Sequence, residues 1–115
     1  MAAALAASIL PQATVESAGL WPAESVAEKA VSVVREMTGS DISDHQPRDL
    51  SEVDSTSFDL VVVLDPHVLD DLHLPPETNQ VVWDVPDPYG STLDEYRRCA
   101  EDLRQRIAER SDEWR

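Results

Sequence analysis

Phe58-Asp59-Leu60-Val61-Val62-Val63-Leu64, closed by Asp65-Pro66, is the stretch that decides how this sequence folds. It is apolar almost without a break, and three valines stand in succession. A strand with one wet face would alternate. A continuous β-branched run of this length is expected of a strand covered on both faces, as in a parallel sheet between helices.

Working toward the C-terminus, Pro66 to Leu72 reads as a short helix and Gln80 to Val85 as the next strand. That strand runs into Pro86-Asp87-Pro88-Tyr89-Gly90, a proline-bounded turn presenting one carboxylate and one phenol. Ser91 with Asp94, or Thr92 with Glu95, then offers a capping pattern for a long helix. Its buried face is Leu93, Tyr96, Ala100, Leu103 and Ile107, with Asp94–Arg98 and Asp102–Arg106 spaced as i,i+4 pairs on the wet side.

Working toward the N-terminus, Leu50 to Asp54 suits one helical turn, and Gly39 to Leu50 is a polar loop carrying His45, Pro47 and Arg48. Val26, Ala27, Ala30, Val31, Val34 and Met37 make an apolar stripe, so Pro22 to Met37 is predicted helical, with Pro22 in the first turn. Thr14 to Ala18 alternates weakly and stops at Gly19, which predicts a short strand. Residues 1–10 place Met1, Leu5 and Ile9 at helical spacing until Pro11, with no capping residue ahead of them. The predicted order is helix, strand, helix, strand, helix, strand, helix, which means a parallel sheet wrapped by helices.

Composition narrows the functions. The 115 residues hold 9 basic and 23 acidic side chains, a net charge of −14, so nucleic acid and anionic membrane are repelled. Lys29 is the only lysine beside eight arginines. A salt-loving source and a GC-rich genome explain that balance equally well. The single cysteine, Cys99, forms no internal disulfide and suits a reducing cytoplasm. The alanine-rich opening has no basic leader, since the first cation is Lys29, and is not read as a secretion signal. His67 and His73 stand six apart, outside accepted metal spacings, so neither metal nor cofactor is expected. Trp21 and Trp83 fit a core or a ligand border equally.

Several pieces, in this order, resemble the low-molecular-weight protein tyrosine phosphatases and the related arsenate reductases. They are Ser17-Ala18-Gly19, the loop from Gly39 through His45 to Arg48, Phe58 to Asp65, Asp87-Pro88-Tyr89-Gly90 and the closing helix. The resemblance implies a three-layer α/β/α fold with a parallel sheet, phosphotyrosine protein phosphatase I-like. In that family a central first strand leads into a Cys-x5-Arg loop, whose thiolate attacks phosphorus while amides and the arginine hold the dianion. By resemblance, Asp87 takes the general-acid position and Tyr89 the aromatic wall of a phosphotyrosine ring. Ser17 and His45 take the positions that brace the phosphate loop. Each has a plainer reading as well: a turn aspartate, a tyrosine covering a core edge, and solvated loop residues.

The departure is at the start. Met1-Ala2-Ala3-Ala4 matches the helix just after the loop, so the first strand, the nucleophile and its arginine would lie upstream of residue 1. Cys99 cannot replace them, because it falls in the middle of a predicted helix. The expectation is therefore one phosphatase-like domain over residues 1–115, N-terminally incomplete and inactive as it stands. It would bind a phosphotyrosine-like or oxyanion ligand if the loop were supplied. Arsenate reductase-like chemistry is the alternative, although the thiol-coupled reductases need further cysteines after the 58–64 strand. A non-catalytic binding or regulatory pseudophosphatase is another. Loss of a central strand leaves two strand edges unpaired, so either residues 14–18 pair with 58–64 or a second chain, as in a homodimer, fills the gap.

Overall fold

Val61–Val63 forms β1, and in the computed structural model it pairs in parallel with β2, Gln80–Val82. Described here are residues 1–19, 27–54, 57–71, 74, 76 and 78–111. The register sets Val61 opposite Gln80, Val62 opposite Val81 and Val63 opposite Val82. Beyond the ladder, the Trp83 amide donates to the Val63 carbonyl at 2.8 Å and the Val85 amide to the Leu64 carbonyl at 3.2 Å. Side chains then sort by the strand period of two: Val62, Leu64, Val81, Trp83 and Val85 all meet the helical core. Val82 points the other way and is 40% exposed.

Two strands do not hold themselves together in water, so the helices must. They are α1 (Ala2–Ile9), α2 (Glu28–Thr38) and α3 (Leu93–Arg110), with 3₁₀ turns at Leu50–Glu52 and Pro66–Asp71. α3 buries Tyr96, Ala100, Leu103 and Ile107 along one stripe, as the spacing predicts. α2 adds Ala30 and Val33, and α1 adds Leu5. Trp83 is a core residue, only 6% exposed, with the Arg106 guanidinium 5.9 Å from its ring centroid in a cation–π contact. Trp21 lies outside the described residues. The result is an α/β fold with a small parallel sheet and three helices, as the sequence implies. Among the described residues, no helix is long and apolar enough to cross a membrane.

Several local expectations need correction. Residues 14–18 form no strand; Gly19 makes one isolated parallel bridge with Asp49, its amide donating to the Arg48 carbonyl and its carbonyl accepting from Leu50, both at 2.9 Å. Within Thr14 to Ala18 only Thr14 and Val15 favour a strand, and among the described residues the segment pairs with no other strand. Direct pairing of 14–18 with β1 is therefore not observed. Helix α2 starts at Glu28, because Ala27 is extended with φ −62° and ψ 138°. The predicted portion from Pro22 to Val26 lies outside the described residues. At its other end, Gly39 adopts φ 77°, a left-handed cap that suits glycine. Both strands are shorter than the apolar runs that announced them.

On α3, Asp102–Arg106 forms at 3.1 Å, but Asp94 pairs with Arg97 at 3.0 Å and Arg98 with Glu95 at 2.8 Å. Arg97 is drawn away from a simple helix-face role because its guanidinium also grips Glu36 of α2 through two hydrogen bonds, 3.1 and 2.9 Å. Thr92 is the cap, its Oγ1 accepting from the Glu95 amide at 3.3 Å. Thr92→Ala is expected to cost about 1 kcal/mol, read as a lower urea midpoint with an unchanged slope.

Candidate functional site

The chain leaves β2 through Trp83 and enters the proline-bounded turn with its backbone already fixed by the Val85 hydrogen bond. Pro86 and Pro88 stiffen the turn on either side of Asp87. Asp87 Oδ1 accepts the Tyr89 amide at 3.0 Å, and the Ser91 amide donates back to the Pro88 carbonyl at 2.8 Å. Gly90 completes the reversal at φ 80°, a left-handed conformation that a side chain would strain. The Tyr89 ring is 72% exposed, which does not fit the plainer reading of a tyrosine covering a core edge.

Asp87 borders a cavity of about 570 Å³ whose lining includes Leu64, Asp65, Asp84, Cys99 and Leu103. Asp65 Oδ1 accepts from the His67 amide at 2.9 Å and lies 2.9 Å from His67 Nδ1; these bonds hold its carboxyl below the usual range. Cys99 approaches the Pro86 carbonyl at 3.9 Å, and burial pushes its thiol above the ordinary value. Alkylation of Cys99 at pH 7.5 is therefore expected to run slower than that of free cysteine, followed by mass spectrometry.

Tyr96, legible in the sequence as a core residue of α3, is a core residue in the structure. It is 4% exposed, and its phenol is pushed up first by burial and then by the Asp87 and Tyr89 charges nearby.

Ser17 and His45 come together elsewhere. Ser17 Oγ lies 3.3 Å from His45 Nε2, and Arg48 Nη2 donates to the Ser17 carbonyl at 3.4 Å. Arg48 also faces Glu16 at 3.9 Å. The loop carrying His45 is shaped by Asp41, which accepts the Ser43 amide at 2.9 Å and pairs with Arg35 at 3.2 Å. Glu16, Ser17, His45 and Arg48 border a second cavity of about 440 Å³.

The two cavities share a wall. Met1 and Ala2 line the Asp87 side, while Ala3 and Ala4 line the Ser17–His45 side. The first turn of α1 thus stands between the two groups of candidate residues. That turn has no side-chain cap and no acidic residue of its own.

The chain is similar in sequence and in fold to known proteins. The "Putative arsenate reductase" of Halobacterium salinarum is 33% identical over 97 residues, covering 84% of this chain and 66% of that protein. The chain therefore spans just under two thirds of that relative. The crystal structure of arsenate reductase from Archaeoglobus fulgidus superposes with a TM-score of 0.71 at 26% identity, over 94% of this chain and 85% of the other. Wzb from Vibrio vulnificus, solved in complex with benzylphosphonate, superposes with a TM-score of 0.83 at 19% identity, over 97% and 87%; at that identity the likeness is one of fold. Residues 1–113 match the family model for low molecular weight phosphotyrosine protein phosphatase, and this chain belongs to that family.

Proposed function

We propose that this chain carries the proton-donating half of a phosphate-monoester site, of the kind its family uses on phosphotyrosine. The observation that carries the reading is the Asp87 turn: a carboxylate at a cavity mouth beside an exposed Tyr89, on a loop stiffened by two prolines. In this reading the oxyanion rests at the N-terminal turn of α1, between that loop and the Ser17–His45 pair. Asp87 protonates the departing phenolate as the ester bond breaks, and Tyr89 flanks its ring. Ser17 and His45, with Arg48 on the Ser17 carbonyl, brace whatever loop holds the phosphate.

The attacking group is the other half. Within these 115 residues the one cysteine is Cys99, held in α3, with Gln105 where a Cys-x5-Arg loop needs arginine. The 115-residue chain by itself is therefore expected to hydrolyse p-nitrophenyl phosphate only at the buffer rate. Turnover clearly above that rate would refute the half-site reading.

Arsenate reduction is the second reading, favoured by the arsenate reductases among the relatives. Arsenate shares the charge and shape of phosphate, so the same pocket would admit it. Reduction to arsenite needs thiols to supply electrons, and the strand end at Val63-Leu64-Asp65 offers none. Thiol-dependent production of arsenite by this chain would favour reduction over ester hydrolysis.

A further inference from the structure

We propose that Lys29 is a positioning residue, a latch that holds the Asp87 turn in place from a different helix. Lys29 is the only lysine in the chain and the second residue of α2. Its Nζ donates to the Ser91 carbonyl, 62 positions away in sequence. Ser91 is the last residue before Thr92, the cap of α3. The ammonium thus sits at two helix N-termini, where both dipoles disfavour a cation. Glu28, Asp94 and Glu95 in the first turns offset part of that. Helix stability does not explain a positive charge there, whereas a charge-assisted hydrogen bond to a loop carbonyl does.

The loop is otherwise fastened mainly at its entry. The Val85 amide donates to the Leu64 carbonyl just past β1, and the Cys99 thiol approaches the Pro86 carbonyl. From Asp87 to Ser91 the other hydrogen bonds among the described residues are the loop's own: Tyr89 to Asp87, and Ser91 to Pro88. Around Gly90 a Cβ would meet no atom within 4 Å, so the exit of the turn has open space to move into. Lys29 closes that end. The helices do not depend on it, because Arg97 clamps Glu36 and Ala30, Val33, Tyr96 and Ala100 pack in the shared core.

The catalytic meaning of this latch rests on Asp87 being the proton donor, but its test does not. Amide hydrogen exchange is measured on the 115-residue chain and its Lys29→Met and Lys29→Arg variants. In Lys29→Met the Tyr89 and Ser91 amides are expected to exchange about tenfold faster, while Ala100 and Leu103 in the middle of α3 keep their wild-type rates. Lys29→Arg, which keeps a cationic donor, is expected to stay within about threefold of wild type. Three results would overturn the proposal: unchanged loop exchange in Lys29→Met, equal acceleration in loop and helix, or Lys29→Arg exchanging as fast as Lys29→Met. A loop that loosens as expected, together with an Asp87→Asn change that costs no aryl phosphate hydrolysis once a Cys-x5-Arg loop is fused ahead of Met1, would count against the proton-donor reading alone.

Discussion

Fusing a strand and a Cys-x5-Arg loop ahead of Met1 is expected to raise aryl phosphate hydrolysis from the buffer rate by as much as about a million-fold. That ceiling is the rate lost when a hydrolase is stripped of its nucleophile. The expectation rests on what the folded chain already holds. The first turn of α1 divides two cavities, one bordered by Asp87 and the other by Ser17 and His45. It carries no acidic residue or side-chain cap that would compete with a bound dianion. A thiolate delivered to that turn would have amides on one side and a proton donor across from it. Replacing the added cysteine with serine should return the rate to background. A fused chain that folds, as judged by circular dichroism, yet stays at background with cysteine present would count against the arrangement.

Leu5→Ala should produce a large loss of stability. Leu5 is 1% exposed and is the fully buried side chain of an eight-residue helix that has no side-chain cap. A helix that short is not stable by itself in water, so α1 stays helical by docking on α3. Removing the Leu5 side chain is expected to cost about 3 kcal/mol, from lost burial and the cavity left behind. Against a total of roughly 5–15 kcal/mol for a domain, that is enough to undock α1 or unfold the chain near body temperature. Ala7→Ser, on the exposed side of the same helix, should shift the denaturation midpoint by no more than about 0.5 kcal/mol equivalent. Equal effects from the two substitutions would mean that α1 does not contribute to the core.

What the sequence revealed followed the strength of the local pattern. Phe58 to Leu64 was readable as an almost unbroken apolar run and the Leu93–Ile107 stripe as a repeated helical period, and β1 and α3 appear where these patterns put them. Thr14 to Ala18 failed because two strand-favouring residues in five leave strand formation to whatever edge lies alongside, and among the described residues the segment pairs with no other strand. The start of α2 was misplaced for a similar reason: an apolar stripe marks a face, not a boundary, and Ala27 is extended. The choice of Arg97 as the α2–α3 clamp depended on Glu36, 61 positions away, which no helical-wheel spacing contains. At the site, the Asp-Pro-Tyr-Gly turn announced itself through its prolines and glycine. The closeness of Ser17 to His45 was visible only through resemblance. The Lys29 contact with the Ser91 carbonyl was not legible because it joins residues 62 positions apart.

The most direct test of the central claim, that Asp87 is the proton donor, compares leaving groups in the fused, active chain. With an acid in place, the cost of removing it depends on how badly the departing oxygen needs a proton. Asp87→Asn is expected to lower kcat on a phenyl phosphate, whose phenolate is strongly basic, by about a hundredfold to a thousandfold. On a nitrophenyl phosphate, whose phenolate is a far weaker base, the loss should be much smaller. The same loss on both substrates, or none on either, would contradict the account and return Asp87 to the role of a turn aspartate.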